Sequence, residues 1–407
     1  MTSPSRIAIV GGGPGGLTLA RILYTRGIAA TVFERDAHAL ERPQGGTLDL
    51  HAGSGQAAIR QAGLDAAFKI VARYEDQGMR VLDKTGKVLL DQPGGAGGDR
   101  PEVDRTELRR ILVESLPPET VRWGYVLCDA RPVSDGTVRL DFANGESGDF
   151  DLVVGADGAW SRVRRLVSDA VPFYTGVTFV EIGLDDVDRR HPAIARLVGR
   201  GSMAALGDSK GIIAQRNGNA HIRTYVAFRA AEDWLGSGAI DLTDARAARR
   251  SLAAQFEGWA PEILSLVHEG GDTITPRLLY TLPAGHKWTC QRGMTLLGDA
   301  AHLMTPFGGN GVNFAMLDAA ELAIAIAEYD GADSIEAYEV KICERAAPEA
   351  AEALNSLLET FSEAGAQHWL DQLSGDGGGP HTRLAGNLER PRGGAADRRR
   401  RGASHED

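Results

Sequence analysis

A glycine-rich turn near the start of the sequence constrains the fold more than any other feature. It reads Gly11-Gly-Gly13-Pro-Gly-Gly16 and follows the apolar stretch Ile7-Ala-Ile-Val10. Apolar residues then recur at helical spacing until Gly27, which predicts a helix that ends at a glycine. A second apolar stretch, Ala30-Thr-Val-Phe33, predicts the next strand. The segment therefore predicts a βαβ unit.

The register of the glycines is typical of a dinucleotide-binding loop. Gly11 permits the tight turn, Gly13 lets a pyrophosphate approach the backbone, and Gly16 lets the helix pack closely on the strand. Glu34 ends the second strand about 20 residues after Gly13, the spacing of an acid that binds an adenosine ribose. Because the glycines have this strand–helix–strand context, the sequence predicts a bound dinucleotide.

Two later segments place a polar residue after an apolar strand. The first, Asp151–Arg162, contains Asp157, and the second, Gly298–Asn313, contains Asp299. An acid at the position of Asp299 could bind ribityl hydroxyls. In the same segment a proline and several glycines precede a predicted helix, whose N-terminal amides and dipole can stabilise an anionic flavin ring.

Composition and charge exclude several classes of protein. The chain has 407 residues and a formal net charge of -11, and this acidic balance argues against a nucleic-acid partner, since phosphate binding needs a basic face. The cysteines, Cys128, Cys290 and Cys343, are far apart, which is typical of a reducing cytosol and not of a disulfide framework or zinc site. No apolar stretch reaches the about 18 residues of a membrane span. We therefore expect a cytoplasmic protein with no membrane partner and no bound metal.

Together the three motifs resemble those of the FAD-dependent aromatic hydroxylases typified by para-hydroxybenzoate hydroxylase. Within that group, the chain is most similar to the tetracycline-inactivating flavin monooxygenases. Two further segments, Gly45–Leu64 and Pro101–Arg109, carry this closer resemblance. The motifs occur in the family's order along most of the chain, which is far more specific than a single glycine motif.

The resemblance implies a non-covalently bound FAD and a set of residues that hold it. Arg35 would lie beside the adenine, Asp49 close to the flavin, and Asp299 on the ribityl chain. One departure is Asn310, where the relatives carry a longer amide. The implied cofactor-binding residues are Gly11, Gly13, Gly16, Glu34, Arg35, Asp49, Arg105, Arg109, Asp157, Asp299, Pro306, Gly309, Gly311 and Val312.

The resemblance also implies an activity. NADPH or NADH would bind transiently, since the chain has no second dinucleotide loop, and would reduce the flavin. A flavin C4a-hydroperoxide would then hydroxylate an aromatic or polyketide-like small molecule, as in secondary metabolism or antibiotic modification, and no protein side chain is assigned a catalytic role. Two alternatives stay open: a reductase or dehydrogenase without oxygen insertion, and a flavoprotein that only sequesters a ligand.

Four residues are predicted to contact the substrate: Glu181, Met203, Arg223 and Phe307. The polar residues that hold tetracycline in the relatives differ here, because Glu181 replaces a glutamine, Arg223 a histidine and Gly201 an arginine. We therefore expect that tetracycline is not the substrate. Glu181 and Arg223 either pair with each other in the wall of the pocket or contact the substrate directly.

A fold and a domain organisation follow from the order of these segments. The predicted fold class is α/β, with a Rossmann-like FAD-binding domain (1–75, 100–170 and 275–330) and an inserted mixed β-sheet substrate domain (76–99 and 171–274). Residues 331–373 are predicted to form a long bridging helix, bent or broken before Pro348. From 374 to 407 apolar residues nearly vanish, which predicts a disordered tail. We expect a monomer or weak dimer, and we expect His302 to pack or hydrogen-bond rather than act as an acid or base.

Overall fold

The computed structural model describes residues 6–41, 45–94, 99–133, 136–238, 240–328 and 332–374. The predicted disordered tail lies outside this range, apart from Ser374, which is the last residue of a helix. Within the described residues, no helix is long and apolar enough to cross a membrane. The three cysteines are free thiols.

A parallel five-stranded sheet forms the centre of the first layer. Its strands are β1 (Ile7–Val10), β2 (Thr31–Glu34), β7 (Val121–Trp123), β11 (Leu152–Gly155) and β17 (Met294–Leu296). They lie in the order β17-β11-β1-β2-β7, and every residue of β1 and β11 is buried. Burial on both faces is the reason that these strands are continuously apolar.

Helices cover this sheet, and the first of them confirms the predicted βαβ unit. Helix α1 (Pro14–Thr25) begins after Gly13 with a proline in its first turn, and the chain turns back at Gly27, whose φ is 75°. The other helices of this layer are α2 (Gly55–Gln61), α3 (Asp65–Val71), α4 (Arg105–Glu114), α9 (Asp299–His302) and α10 (Gly311–Ala327). A Cβ at Gly15 would lie 2.9 Å from the carbonyl oxygen of Ala315, so α1 and α10 pack with almost no space between them.

Two small antiparallel sheets flank the parallel sheet. One pairs β3 (Thr47–Asp49) with β6 (Glu102–Asp104), and the other has the order β10-β9-β8, with β8 (Leu127–Pro132), β9 (Val138–Phe142) and β10 (Ser147–Phe150). Neither of these two sheets was predicted from the sequence.

A mixed seven-stranded sheet forms the second layer. Its strands are β4 (Gly78–Asp83), β5 (Val88–Gln92), β12 (Phe173–Leu184), β13 (Gly201–Gly207), β14 (Lys210–Arg216), β15 (Ile222–Arg229) and β16 (Ile274–Thr281). They lie in the order β16-β12-β15-β14-β13-β4-β5. Strand β16, which the predicted boundary at 275 assigns to the FAD-binding domain, pairs with β12.

One face of this sheet carries a second hydrophobic core. The helices of this layer are α5 (Val187–Arg190), α6 (Pro192–Val198), α7 (Ala245–Ala254) and α8 (Pro261–His268), and all four contribute buried side chains to that core. The opposite face of the sheet is left for other contacts. The predicted fold class, α/β with an inserted mixed sheet and a long C-terminal helix, is confirmed.

The C-terminal region consists of α11 (Ala332–Thr360) and α12 (Gly365–Ser374). The sequence predicted that the helix is bent or broken before Pro348; a break is wrong, because α11 continues through this proline, and a bend stays a prediction. A proline inside a helix removes one backbone hydrogen bond, but Ala346, Ala350 and Ala353 on either side pack against Met304 and Phe314 in a small buried cluster. This packing holds the helix together across the proline.

Gly201 has no room for any side chain. Its φ is 125°, and a Cβ there would lie 2.1 Å from the carbonyl oxygen of Gly78 on the neighbouring strand. Position 201 was interpreted as a pocket residue where an arginine has been lost. This interpretation is wrong for this backbone, because Gly201 allows the close pairing of β13 with β4.

We predict that Gly201→Ala destabilises the protein more than Gly176→Ala. Both glycines have positive φ, 125° and 82°, and the left-handed region costs an alanine about 1–2 kcal/mol. Nothing lies within 4 Å of a Cβ at Gly176, whereas overpacking at Gly201 adds about 1–3 kcal/mol. Urea unfolding measures both losses, and equal losses would contradict the close approach of the two strands.

Candidate functional site

The glycines of the turn differ in their surroundings: Gly11 and Gly16 are closely packed, whereas Gly13 is open. A Cβ at Gly11 would lie 2.2 Å from the carbonyl oxygen of Ala156, and a Cβ at Gly16 would lie 2.1 Å from that of Gly11. At Gly13, the N-cap of α1, nothing lies within 4 Å of a Cβ. Two glycines therefore let the turn pack, and the third leaves the start of the helix accessible. Backbone amides in such a position bind phosphate.

Glu34 ends β2 directly beside this turn and is 5% exposed. Its Oε2 accepts a hydrogen bond from the amide of Gly12 at 2.6 Å, and its Oε1 accepts one from the amide of Asp36 at 2.9 Å. Arg35 is exposed next to it. The acid therefore stands at the position where the sequence motif predicts a ribose-binding carboxylate.

Arg109 fixes the shape of the turn. Its guanidinium donates to the carbonyl oxygens of Gly12 at 3.2 Å and Ala39 at 3.0 Å, and it lies 3.2 Å from the carboxylate of Asp36. The side chain is 4% exposed, and it lies over the ring of Trp123. The described contacts give Arg109 a role in holding the glycine turn, and its contact with the cofactor stays a prediction.

Arg105, one helical turn earlier on α4, has a different environment. Its Cδ would lie 3.2 Å from a Cβ at Gly45, so it packs against the backbone of that segment. Over the described part of the chain, no carboxylate lies within ion-pair distance of its guanidinium, and its side chain is only partly buried. A cation that lies beside Gly45 with no ion-pair partner among the described residues suits a bound anion.

The two predicted acids after β11 and β17 have distinct roles. The carboxylate of Asp157 accepts from the hydroxyl of Ser161 at 2.5 Å and the amide of Arg162 at 2.7 Å, which closes its own loop. Asp299 is exposed at the start of α9. Arg164, which is 2% exposed, joins the two segments by donating to the carbonyl oxygens of Ala159 and Ala300. Asp299 is therefore held at the surface of the cradle with its carboxylate available.

The turn before α10 contains the residues predicted to line the flavin ring. Pro306 begins a short 3-10 turn, Gly309 has a φ of 66°, and Gly311 and Val312 open the helix. Asn313, which is 0% exposed, donates to the carbonyl oxygens of Asp49 at 2.9 Å and Gly309 at 3.1 Å. The buried amide of Asn313 thus joins the turn to the end of β3. Asn313 lies in the segment Gly298–Asn313, but its role was not predicted from the sequence.

Asp49 forms an ion pair at the same place. Its Oδ2 lies 2.9 Å from Nε2 of His51, and a Cβ at Gly309 would lie 3.8 Å from its Oδ1. Burial raises the pKa of Asp49, but the hydrogen bond and charge of His51 and the charge of Arg100 outweigh it and hold the pKa below its ordinary value. Asp49 is therefore an anion beside the turn, and its closeness to the flavin stays a prediction. His51 was not identified from the sequence.

The pKa of a neighbouring acid, Glu102, is raised, whereas that of Asp49 is lowered. Burial, together with the negative charge of Asp49, raises the pKa of Glu102 to about 7. The hydroxyl of Thr47 donates to its Oε2 at 2.5 Å. Glu102 follows Pro101 in a segment that carried the family resemblance, but no sequence signal marked it as a titrating group.

The second face of the seven-stranded sheet presents an aromatic and charged wall. Phe179 lies near Tyr225 (ring centroids 5.6 Å apart), Phe361, which directly follows α11 (6.0 Å), and Phe307 of the turn before α10 (6.2 Å). Phe307 therefore joins the wall to the turn before α10. We call these four aromatic residues, together with Glu181, Arg223 and Arg277, the substrate face.

The charged part of the substrate face is paired. The carboxylate of Glu181 binds Arg223 through Oε1 and lies 3.2 Å from Nε of Arg277 through Oε2. Side-chain exposure is 15% for Glu181 and 12% for Arg223. Of the two interpretations of these residues, the structure shows the pairing, and it leaves Nε of Arg223 buried without a partner in the described residues.

Met203 does not lie on the substrate face. It is 0% exposed and packs in the second core with Ile212, Ala214 and Val226. Successive side chains of a strand point to opposite faces, so Met203 lies on the helix-covered face, whereas Glu181, Arg223 and Phe307 meet on the other.

His302 belongs to a buried polar network. Its Nε2 lies 2.7 Å from Oδ2 of Asp318, which also accepts from the amide of Gly298 at 2.9 Å. Arg345 of α11 reaches Oδ1 of Asp318 at 2.6 Å and Glu321 at 2.9 Å. The expectation that His302 is a hydrogen-bonding residue is confirmed, and the network fixes the strand end that carries Asp299.

These residues fit FAD. The open backbone at Gly13 suits the pyrophosphate, Glu34 the ribose, Asp299 the ribityl chain, and the amides at Gly311 and Val312 the ring. When bound, FAD supplies hydride acceptance and oxygen activation, which amino-acid side chains do not offer. Within the described residues, no group of three acidic, histidine or cysteine side chains could hold a metal ion.

Comparison with known proteins supports the same cofactor. A family described as an FAD binding domain matches residues 5–257 and 286–347. The chain is 34% identical over 372 residues to monooxygenase asqM of Emericella nidulans, over 79% of this chain and 83% of the relative. It is 29% identical over 356 residues to 3-amino-4-hydroxybenzoate 2-monooxygenase PtnB3 of Streptomyces platensis, over 83% of this chain and 84% of the relative.

A solved structure with the same fold is that of tetracycline destructase Tet(51). It matches with a TM-score of 0.70 at 19% identity, over 95% of this chain and 99% of that chain. The family match and the sequence relatives confirm the predicted resemblance to the FAD-dependent aromatic hydroxylases, and the likeness to Tet(51) shows a shared fold.

We predict that Arg105→Ala weakens FAD binding and that Arg110→Ala does not. Loss of a charged hydrogen bond costs about 1.5–3 kcal/mol, which is roughly a tenfold to hundredfold loss of affinity. Arg110 lies on the same helix, but it is exposed and pairs with Glu107 and Glu114. Titration of apoprotein with FAD, followed by flavin fluorescence, measures both affinities. Equal affinity in the two variants would remove Arg105 from the site.

A second prediction concerns the pH dependence of stability. Burial lowers the pKa of His302, but the charge and hydrogen bond of Asp318 outweigh it, so that the pKa lies above its ordinary value of 6.5. A raised histidine pKa stabilises the fold fully below pH 6.5 and loses its contribution as pH rises through the folded-state pKa. The difference in unfolding free energy between wild type and His302→Gln should therefore shrink above pH 6.5. Urea unfolding from about pH 5.5 to about pH 9 tests this, and a constant difference would contradict the charged pair.

Proposed function

Because the chain belongs to the FAD binding domain family and is an FAD-dependent monooxygenase, we propose that it hydroxylates an aromatic or polyketide-like small molecule. The reaction uses NADPH or NADH and O2. One oxygen atom enters the substrate, and the other leaves as water while the nicotinamide is oxidised. The protein's part is to bind the substrate beside the flavin, to orient it and to exclude water.

The observation that carries this proposal is the position of the substrate face. Phe307 follows Pro306 in the turn before α10, which we call the flavin-facing turn, and its ring lies against Phe179 of β12 and against Phe361, which directly follows α11. A planar substrate against this wall lies next to the turn that lines the ring of the cofactor. Aromatic side chains favour planar, electron-rich rings through stacked and edge-to-face contacts. PtnB3, whose name describes the hydroxylation of an aminohydroxybenzoate, agrees with such a substrate class.

The charge of the substrate face favours a substrate with an ionisable phenolic hydroxyl. Glu181 neutralises one of its two arginine partners, so the cluster with Arg223 and Arg277 keeps one positive charge. Tyr225 lies between this cluster and Gly46, where a Cβ would come within 3.1 Å of its hydroxyl. Burial and the charge of Glu181 raise the pKa of Tyr225, so it stays a neutral donor near neutral pH. A tyrosine hydroxyl beside a cationic cluster can bind an ionised oxygen.

The test is product analysis under oxygen-18. Hydroxybenzoates, polycyclic phenols and tetracycline are each supplied with NADPH or NADH. We expect one labelled oxygen atom in the product of a phenolic substrate and nicotinamide oxidation that is coupled to it. Tetracycline should not raise nicotinamide oxidation above the uncoupled background, because Glu181 and Arg223 offer different donors and acceptors from the glutamine and histidine of the relatives, and a mismatched ligand leaves buried polar groups unpaired.

Two outcomes would overturn the proposal. Turnover of the phenolic compounds with no label in the product would favour the reductase or dehydrogenase alternative. Ligand binding without nicotinamide oxidation by any compound would favour a sequestering flavoprotein. Coupled formation of a hydroxylated tetracycline would contradict only the expectation on specificity.

A further inference from the structure

The flavin-facing turn is attached to α11 by its own polar side chains. The hydroxyl of Thr305 donates to the carbonyl oxygen of Ala353 at 2.6 Å, and Nδ2 of Asn310 donates to Oε2 of Glu349 at 2.6 Å. Between them, a Cβ at Gly308 would lie 3.4 Å from the Cβ of Ala353. The turn therefore contacts α11 along its length, from Thr305 to Asn310, the N-cap of α10.

The contact between Asn310 and Glu349 is the buried polar one. Asn310 is 2% exposed and is the N-cap of α10. A buried amide without a partner costs about 1–3 kcal/mol, so the position of Asn310 depends on the acceptor that α11 supplies. Burial and the charge of Glu352 raise the pKa of Glu349, and the hydrogen bond of Asn310 opposes this.

The opposite side of the turn is held separately. Asn313 binds the carbonyl oxygen of Gly309, and its own Oδ1 accepts from the amide of His51 at 2.9 Å and that of Gly55 at 3.2 Å. The turn is thus clamped between two buried amides, one facing β3 and the other facing α11. Only the second clamp depends on a side chain outside the nucleotide-binding motifs.

We propose that Glu349 is a positioning residue of the flavin site, which sets the start of α10 by holding Asn310. The departure at Asn310 from the longer amide of the relatives is consistent with this, since its Nδ2 is committed to α11. The amides of Gly311 and Val312 follow Asn310 directly, so the orientation of Asn310 fixes the direction in which they point. Glu349 acts through Asn310, and no contact of Glu349 with the cofactor is required.

The experiment compares Glu349→Ala, Glu349→Gln and the matched control Glu352→Ala, which changes an exposed acid on the same helix. We expect Glu349→Ala to weaken FAD binding by about tenfold or more and to change the visible circular dichroism of the bound flavin. Glu349→Gln keeps an oxygen acceptor for Asn310 and should recover most of the affinity and the wild-type spectrum. The melting temperature of the apoprotein should change little in all three variants.

Asn310→Ala provides a second approach if Glu349→Ala folds poorly. It should give the same spectral change, and adding Glu349→Gln to it should cause no further loss of FAD affinity, since the two residues act as one unit. Wild-type affinity and spectrum in Glu349→Ala would overturn the proposal. Equal losses of FAD affinity in Glu352→Ala and Glu349→Ala would also overturn it. So would a loss of FAD affinity that Glu349→Gln does not rescue, if the melting temperature of the apoprotein falls as well.

Discussion

The cofactor cradle depends on one buried carboxylate. Asp318 is 0% exposed, and a charge without solvent must be compensated by donors from the protein. Its donors come from three parts of the chain: the amide of Gly298, the imidazole of His302 and the guanidinium of Arg345. Removing one partner of a buried ion pair typically costs about 3–5 kcal/mol. The acid therefore forces the strand end, the short helix that follows it and α11 to meet at one place.

The sequence predicted the parts of the fold that depend on local pattern. The βαβ unit was recognisable because its glycines and apolar period occur within a short segment, and because parallel strands buried on both faces read as unbroken apolar runs. The sheet β8–β10 was missed because only β9 (Val138–Phe142) alternates apolar and charged residues, whereas its partners β8 and β10 show no such alternation. Pro348 misled the prediction because a local rule about backbone hydrogen bonds was outweighed by the packing of Ala346 and Ala350.

In the candidate site too, the sequence predicted the residues that belong to a local pattern and missed those that depend on distant contacts. The positions of Glu34 and Asp299 could be predicted because an acid at the carboxyl end of a parallel strand has a recognisable spacing, and their contacts with the cofactor stay predictions. Arg109, Asn313 and Glu349 act on partners far away in sequence, and no spacing rule connects them. One signal was available: Asp318 is an acid inside an otherwise apolar helix, and such a residue must be paired when it is buried. The partner itself could be identified only from the structure.

The seven-stranded sheet explains how one scaffold can serve different substrates. Because successive residues of a strand point to opposite faces, Val180 and Val226 build the second core while their neighbours Phe179 and Tyr225 build the substrate face. Changes on the substrate face therefore leave the core intact. Glu181 and Arg223 illustrate this, since each stabilises the other and the pair changes the charge pattern of the wall without an unpaired buried charge. In the proposed function, substrate specificity thus depends on alternate residues of β12 and β15, while cofactor binding depends on the parallel sheet and on the helix α11 that packs against it.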